Sequence, residues 1–312
     1  MTATLVIGPY SDIDTAALKE AFDPVFLDHP EKLSGLDGAA RGAITALAYK
    51  GHHAVGMTEM DLLPNLALIA NYGVGYDAID VKAASTRGIR VTNTPDVLND
   101  DVADLAVAML LMQGREMVQA SEWARSGNWK TAGEYRLNRK VSGGRAGIVG
   151  LGRIGREIAD RLAAFKMDIH YFARSEKPTP GWTYHADPVS LARAVDYLVI
   201  ALVGGAETEK FVSRKVIDAL GPRGVVVNIS RGTTVDERAL LEALEEGRIA
   251  GAALDVFLNE PDIDPRFYRL ENVVIQPHQG SGTFETRAAM GQLQRDNVAA
   301  HHAGRTLLTA VN

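Results

Sequence analysis

Three glycines after a short apolar run are the first residues whose spacing indicates chemistry. The run 147–149 continues into Gly150-Leu151-Gly152-Arg153-Ile154-Gly155, a G-x-G-x-x-G pattern. In this pattern the first glycine permits a tight turn, the second lets the main chain approach a pyrophosphate, and the third lets the following helix pack on the strand. Free N–H groups at the start of that helix bind phosphate. Plain strand-to-helix turns also contain such glycines, so the prediction of a dinucleotide site depends on the surrounding sequence.

An arginine stands where a dinucleotide-binding fold usually has an acidic residue, about 20 positions beyond the glycines. The chain there reads Ala173-Arg174-Ser175-Glu176-Lys177, after a predicted strand. A carboxylate would accept the ribose 2′-OH of NAD, whereas a guanidinium pairs with the 2′-phosphate of NADP. We therefore predict cofactor contacts at Arg174, Ser175 and Lys177 and a preference for NADP(H) over NAD(H). The alternative is that Arg174 is a solvated loop residue.

Three further polar residues follow predicted strands in the same half of the chain. Arg231 comes after the apolar run 225–229, Glu260 lies in the segment 255–261, and His278 lies in 275–281. Because the carboxyl ends of parallel strands share one edge, all three should project toward the rim that carries the glycines. A histidine exchanges a proton near neutral pH, a carboxylate behind it supports the imidazolium, and an arginine clamps a carboxylate. Singly, each also fits a structural role: a turn, a loop histidine and a surface ion pair.

The elements that must position these residues alternate between short β-rich runs and helical segments. This alternation predicts parallel sheets covered by helices. The loop 71–77 follows an apolar strand and so lies at a carboxyl end, where open α/β sheets bind ligands. A long apolar-striped helix at 100–113 and a poorly periodic arm at 120–140 separate a first series from a second one. We expect the final helix, at about 284–303, to pack back on the first series.

Composition limits the function classes. The 312 residues suggest two domains at about 150 residues each. The net charge of −6, with scattered basic residues, argues against nucleic acid or an anionic membrane as a partner. The longest apolar run, 105–112, is far shorter than the roughly 20 residues that cross a bilayer, and no signal peptide is recognisable. We therefore expect a soluble cytoplasmic protein. The absence of cysteine excludes disulfides, thiolate metal sites and thiol nucleophiles.

Taken together, these motifs resemble the D-isomer specific 2-hydroxyacid dehydrogenases, and most closely their glyoxylate/hydroxypyruvate reductase branch. The resemblance spans nearly the whole chain, in the segments 71–77, 94–98, 102–106, 150–155, 228–232, 253–257, 259–261 and 277–281. It implies an α/β fold of two domains. A flavodoxin-like substrate domain would comprise residues 1–95 and 285–312, and a Rossmann-type dinucleotide-binding domain would comprise 96–284, with the active site in the cleft.

The resemblance also assigns roles. Arg231, Glu260 and His278 correspond to the catalytic triad, the backbone of Val74 and Gly75 to the cradle of the substrate carboxylate, and Asp255 to a contact with the nicotinamide carboxamide. Further cofactor contacts are predicted at Val203, Thr208, Ile229 and Gly280. Val203 stands where many relatives have proline. Relatives often dimerise through the arm, so a homodimer with Trp123–Trp129 against the partner is expected.

The resulting prediction is an NADPH-dependent reduction of a small 2-oxo acid, glyoxylate and/or hydroxypyruvate, to the D-2-hydroxy acid. One alternative is a dehydrogenase for another acid such as D-lactate, and Arg174 argues against the members that prefer NAD. The other is a non-catalytic dinucleotide-sensing protein, which the filled catalytic positions argue against. The remaining histidines are interpreted as surface or packing residues, and no metal site is predicted.

Overall fold

The structure is a computed structural model that describes residues 3–312. Its chain divides into two compact units. The first comprises Met1–Leu98 and Thr283–Asn312, and the second comprises Asn99–Gly282. Both are α/β units built on a parallel sheet, as the alternation of strands and helices predicts.

The sheet of the first unit has five strands in the spatial order β2-β1-β3-β4-β5, all parallel to their neighbours. This is the flavodoxin-like order. The strands are β1 (Ala3–Ile7), β2 (Val25–Leu27), β3 (Ile44–Tyr49), β4 (Leu68–Asn71) and β5 (Arg90–Thr92). Leu5, Leu47 and Ile69 pack in one apolar cluster, while Val6 and Ala48 pack in another. Burial on both faces explains why these strands read as continuous apolar runs instead of alternating ones.

Five α-helices lie in the described part of this unit, residues 3–98 and 283–312. They are α1 (Asp12–Phe22), α2 (Gly38–Ala43), α3 (Met57–Asp61), α4 (Val81–Thr86) and the C-terminal helix Phe284–His302. Side-chain oxygens of Ser11, Asp37 and Asp80 cap α1, α2 and α4. The C-terminal helix packs on the sheet through Val298, and the buried Gln294 donates to Ala70 O at 2.7 Å. The two chain ends therefore share one hydrophobic core.

The sheet of the second unit has seven strands in the order β12-β11-β10-β9-β6-β7-β8, again all parallel. The first six strands in chain order follow the Rossmann arrangement 3-2-1-4-5-6, with β12 added beyond the last of them. The strands are β6 (Arg145–Val149), β7 (Asp168–Phe172), β8 (Thr183–His185), β9 (Tyr197–Ile200), β10 (Val225–Asn228), β11 (Gly251–Leu254) and β12 (Val273–Ile275).

The helices of this unit are α5 (Asn99–Gly114), α6 (Met117–Arg125), α7 (Asn128–Thr131), α8 (Arg153–Ala164), α9 (Pro188–Ala194), α10 (Arg214–Leu220) and α11 (Glu237–Glu245). The helix predicted at 100–113 is α5. The poorly periodic segment after it contains α6 and α7, neither of which has a buried residue. Nowhere in residues 3–312 is there a helix of the length and apolar character that a bilayer crossing requires.

Strand register sets where the loops of the second unit begin. Val149 pairs with Phe172 and Ile200, and Leu254 pairs with Asn228 and Ile275. Since the strands are parallel and end at matching levels, the loops that follow them leave from a single edge of the sheet. The predicted cofactor and catalytic residues of this unit lie in those loops or in the first turn of α8.

Candidate active site and cofactor site

The glycine motif forms the turn between β6 and α8, and two of its glycines are required by close backbone contacts. Gly150 has φ +100°, and a Cβ there would lie 2.8 Å from Ala201 O. A Cβ on Gly155 would lie 2.1 Å from Gly150 O. A side chain at position 150 would push the turn away from the residue that follows β9, and one at position 155 would push α8 away from the turn. These two glycines shape the loop.

Gly152 has a different environment. It is exposed, it is the N-cap of α8 without a side-chain capping bond, and a Cβ built on it would meet no atom within 4 Å. The first-turn amides of α8 are therefore not covered by a capping side chain, and the space above Gly152 is open. A pyrophosphate fits this arrangement, because it can approach the backbone and accept from the helix N-terminus. Leu151 is buried beside the loop, Ile154 is half-buried, and Arg153 is exposed.

The loop after β7 carries the residues predicted to contact the adenosine ribose. Arg174, Ser175 and Lys177 are all exposed, and the loop starts next to the glycine turn because Gly150 N–H donates to Phe172 O at 2.9 Å. The Tyr171 hydroxyl closes the loop by donating to Lys177 O at 3.0 Å and accepting from Lys177 N–H at 2.9 Å. The loop thus presents two cations and a hydroxyl beside the glycine turn.

The other predicted cofactor residues lie in loops at the same edge. Val203 is exposed, and its carbonyl accepts from the Thr208 hydroxyl at 2.7 Å, a bond that closes the loop after β9. Ile229 is buried directly after β10. Gly280 is buried after β12, where a Cβ would lie 3.2 Å from Asp255 Oδ2.

His278 and Glu260 form a hydrogen-bonded pair. Nδ1 of His278 lies 2.7 Å from Oε2 of Glu260, and the side chains are 33% and 23% exposed. The other carboxylate oxygen, Oε1, accepts from Phe257 N–H at 2.7 Å, so the carboxylate is held by its own loop. Since Nδ1 faces the carboxylate, Nε2 is the second ring nitrogen of His278 and can exchange a proton. The pair has the arrangement of an acid–base histidine oriented by a carboxylate.

Asp255 holds the backbone of the loop that carries His278. It is 1% exposed, and its two carboxylate oxygens accept from Gln279 N–H at 2.6 Å and Gly280 N–H at 2.8 Å. His278 N–H donates to Asp255 O at 2.9 Å. Burial raises the pKa of the Asp255 carboxyl, and the two amide donors oppose that shift. The structure therefore assigns Asp255 a positioning role, while its contact with a carboxamide stays a prediction.

Arg231 follows β10, and its backbone is anchored by buried neighbours. Its carbonyl accepts from Asn228 Nδ2 at 3.0 Å and from the Thr234 hydroxyl at 2.7 Å. Gly232 packs so closely that a Cβ there would lie 2.0 Å from the carbonyl carbon of Phe257. Arg231 is therefore fixed to the loop that holds Glu260. Its half-buried guanidinium donates to Ser230 O at 2.8 Å.

Glu237, at the start of α11, was not predicted from the sequence. Its Oε2 accepts a hydrogen bond from the amide N–H of Leu258 at 2.8 Å. The preceding amide, that of Phe257, is the one bound by Glu260. Burial raises the pKa of Glu237, with Leu258 N–H opposing and the charge of Asp264 adding to the shift. In sequence it reads as one more acidic residue in the first turn of a helix, so no local signal distinguishes it.

Val74 and Gly75 belong to the first unit, whereas the other predicted site residues belong to the second. The carbonyl groups of their loop are bound: Asn71 Nδ2 donates to Gly73 O at 3.1 Å and to Gly75 O at 2.9 Å, and Asn93 Nδ2 donates to Val74 O at 3.0 Å. The amide N–H groups of Val74 and Gly75 have no acceptor among residues 3–312. Two adjacent open donors suit a carboxylate.

Asn71 and Asn228 lie in the predicted segments 71–77 and 228–232, but the sequence did not predict the role of their side chains. Each is the last residue of a buried strand, and each uses its side-chain amide to hold the loop that follows. A buried polar side chain of this kind needs hydrogen-bond partners. An apolar strand that ends in asparagine is the signal that could have identified both.

Comparison with known proteins decides the family. The model of the D-isomer specific 2-hydroxyacid dehydrogenase NAD-binding domain matches residues 107–280. The chain belongs to the D-isomer specific 2-hydroxyacid dehydrogenase family. Its binding unit for a nicotinamide cofactor is thus the one that contains the glycine turn.

Relatives cover almost the entire chain. Glyoxylate/hydroxypyruvate reductase A of Arabidopsis thaliana is 44% identical over 98% of this chain and 98% of its own. A 2-ketogluconate reductase of Gluconobacter oxydans is 43% identical over 94% of each. Among solved structures, an NADPH-dependent glyoxylate/hydroxypyruvate reductase of Sinorhizobium meliloti, in complex with NADP and malonate, aligns with a TM-score of 0.94 at 41% identity, covering 99% of this chain and 96% of that one. The chain is therefore similar to enzymes of the reductase branch.

Proposed function

We propose that the protein reduces a small 2-oxo acid, glyoxylate and/or hydroxypyruvate, to the D-2-hydroxy acid with NADPH. The observation that carries this proposal is the 2.7 Å contact between His278 Nδ1 and Glu260 Oε2, on loops at the edge of a dinucleotide-binding sheet where Arg231 is also anchored. A histidine–carboxylate pair supplies protons, and an arginine binds the carboxylate that every 2-oxo acid carries. The names of the relatives support the same reaction.

In this proposal each of the predicted catalytic and substrate-binding residues has a separate role. His278 donates the proton from Nε2 to the substrate oxygen while Glu260 accepts Nδ1–H and stabilises the imidazolium. Arg231 binds the substrate and polarises its carbonyl, and the Val74 and Gly75 amides bind the substrate carboxylate. The bound reduced nicotinamide supplies the hydride for the keto carbon. Asp255 and Glu237 keep the two catalytic loops in place.

The cofactor is proposed to lie along the glycine turn. The first-turn amides of α8 hold its pyrophosphate, and Leu151, Arg153 and Ile154 line the turn. Arg174, Ser175 and Lys177 bind a 2′-phosphate, which favours NADP(H) over NAD(H). The rest of the cofactor is contacted by Val203, Thr208, Ile229 and Gly280. Asp255 contacts the carboxamide group of the nicotinamide. The exposed cations in the loop after β7 support the NADP(H) preference.

We propose that residues 1–95 and 285–312 form the substrate domain and residues 96–284 the dinucleotide-binding domain. We also propose a homodimer formed through the arm after α5. Apolar side chains exposed in that region support it: Met117 is 51% and Trp129 68% exposed. Because isolated exposed apolar residues are common, the measurement that decides is the mass in solution of the wild type and of Trp129→Glu. A monomeric wild type would exclude the dimer.

The experiment that tests the reaction follows NADPH oxidation with glyoxylate, hydroxypyruvate, pyruvate and phenylpyruvate in turn. We expect turnover with glyoxylate or hydroxypyruvate and its near loss in His278→Gln, which leaves cofactor binding intact. Turnover of other acids only would point to the D-lactate-like alternative. Cofactor binding without turnover of any 2-oxo acid would instead favour a dinucleotide-sensing protein.

A further inference from the structure

Lys50 of the first unit has a half-buried ammonium group without a hydrogen-bond or ion-pair partner among residues 3–312. It directly follows β3, and its backbone is fixed there. Lys50 N–H donates to Ile7 O at 2.9 Å. Gly8, with φ +126°, packs so tightly that a Cβ on it would lie 1.7 Å from Lys50 O. The side chain therefore starts from a defined point at the carboxyl edge of the sheet.

Two tyrosine rings surround the ammonium group. Nζ lies 4.7 Å from the ring centroid of Tyr72 and 5.5 Å from that of Tyr10, and the two rings meet edge to face at 5.8 Å. Their hydroxyls are already used: Tyr72 OH donates to Arg287 O at 2.9 Å, and Tyr10 OH bonds the Gln294 side chain. The rings thus contribute their faces, and an ammonium with three donors keeps hydrogen-bonding capacity.

The charges around Lys50 do not neutralise it. Burial lowers the pKa of Lys50, and the positive charge of Arg287 lowers it further, while Asp14 acts in the opposite direction. Asp14 itself is engaged by the Ser11 hydroxyl at 2.9 Å and by Arg295 at 3.5 Å. A ligand oxygen beside Nζ would supply the acceptor that residues 3–312 do not provide.

The position of Lys50 relates it to the loop with open amides. In the parallel pair β3–β4, Tyr49 is in register with Asn71, so Lys50 and Tyr72 leave adjacent strands at the same level. Tyr72 leads directly into Gly73, Val74 and Gly75. The unpaired ammonium and the open amides thus lie at one edge of one sheet, with Tyr72 between them in the chain.

We propose that Lys50 binds an oxygen on the side chain of a 2-oxo acid whose carboxylate is bound by the Val74 and Gly75 amides. Lys50 is then a specificity-determining residue that favours 2-oxo acids with a hydroxyl on the carbon next to the keto carbon over alkyl 2-oxo acids of equal size. This proposal rests on the proposed function, since it concerns the same substrate. Glyoxylate, which lacks that carbon, makes no such contact.

Hydroxypyruvate and 2-oxobutanoate form the matched pair for the test, because they differ only by a hydroxyl in place of a methyl group. The full chain, saturated with NADP⁺ so that no reduction occurs, is titrated with each acid by calorimetry. The wild type should bind hydroxypyruvate more tightly by about tenfold, as expected for a hydrogen bond to a charged donor. Lys50→Met should remove most of that difference, and Lys50→Arg should retain part of it.

Lys82→Met is the control, because it removes the same charge from an exposed position of α4, and it should keep the wild-type ratio. A wild type without preference, or a Lys50→Met variant with the wild-type ratio, would overturn the assignment of Lys50. Turnover is measured separately with NADPH. If the Lys50-dependent preference is present and no 2-oxo acid is reduced, the binding assignment stands and the proposed reductase function fails.

Discussion

Oε2 of Glu237 accepts the amide N–H of Leu258 at 2.8 Å. The neighbouring amide, that of Phe257, is bound by Glu260 at 2.7 Å. Two carboxylates from different elements thus hold successive amides of one loop, and one of the two also contacts His278. Glu237 is distant from Glu260 in the sequence, yet it supports the loop on which the His278–Glu260 pair depends.

A pH-dependent contribution to stability follows from the burial of the Glu237 carboxyl group, which outweighs the opposing effect of the Leu258 contact. Burial raises the pKa of Glu237 above its ordinary value of 4.5, so its contribution to the free energy of unfolding is fully present below that value and is lost as the pH rises through the raised pKa. Glu237→Gln keeps an oxygen acceptor but does not titrate. The Tm of the wild type minus that of Glu237→Gln should therefore fall as the pH rises from below 4.5 through the raised pKa of Glu237.

The measurement is thermal unfolding over that pH series. Glu20→Gln, which removes an exposed carboxylate from α1, serves as the control and should show no comparable trend. A difference in Tm between the wild type and Glu237→Gln that stays constant with pH would contradict the prediction.

Gly152 and Gly155 should respond differently to alanine substitution. A Cβ at position 155 would lie 2.1 Å from a backbone oxygen, whereas one at position 152 meets nothing within 4 Å. Gly155→Ala should lower Tm by several degrees, because overpacking against backbone costs about 1–3 kcal/mol. Gly152→Ala should leave Tm nearly unchanged and weaken cofactor binding. A cofactor Kd unaffected by Gly152→Ala would remove the pyrophosphate from this turn.

Arg174→Asp should reverse the cofactor preference. The substitution replaces a donor to the 2′-phosphate by an acceptor for the ribose 2′-OH, so kcat/KM should fall at least tenfold with NADPH and rise with NADH. Initial rates with both cofactors measure this. Arg193→Asp, an exposed charge on α9, is the matched control. An equal loss of kcat/KM with both cofactors would mean that Arg174 does not contact the 2′ position of the adenosine ribose.

His278 and Glu260 should act as one unit. His278→Gln should lower kcat by about 10²–10⁴-fold, the usual contribution of general acid catalysis. Glu260→Gln should lower kcat less, because the imidazole keeps its position but loses the negative charge behind Nδ1. The double variant should have the same kcat as His278→Gln. Without the imidazole, Glu260 has no group to support, so its replacement should not lower kcat further. Additive losses would show that Glu260 has a separate role.

The sequence alone determined what depends on local spacing. The alternation of apolar runs and helical segments was enough to predict two parallel α/β units. Each buried strand and each amphipathic helix has its own local pattern of apolar residues. The sequence also identified the glycine motif, Arg174 and the positions of Arg231, Glu260 and His278 after predicted strands. Parallel strands bring their carboxyl ends to one edge of the sheet, so these residues were expected there. Strand β8 was not predicted, because its three residues are too few and too polar for a periodic signal.

Only the tertiary structure decided which side chains support these residues. Glu237 accepts a hydrogen bond from the amide of Leu258, 21 positions away in the sequence. Asp255 accepts hydrogen bonds from the amides of Gln279 and Gly280, which lie beyond β12 in the chain. Lys50 meets Tyr10 and Tyr72 because β1, β3 and β4 are neighbours in the sheet. Such contacts have no periodicity or motif, since they form between elements whose pairing is set by the burial of the whole core. The residues that could do chemistry were therefore visible in the sequence, and those that hold them became visible only in the fold.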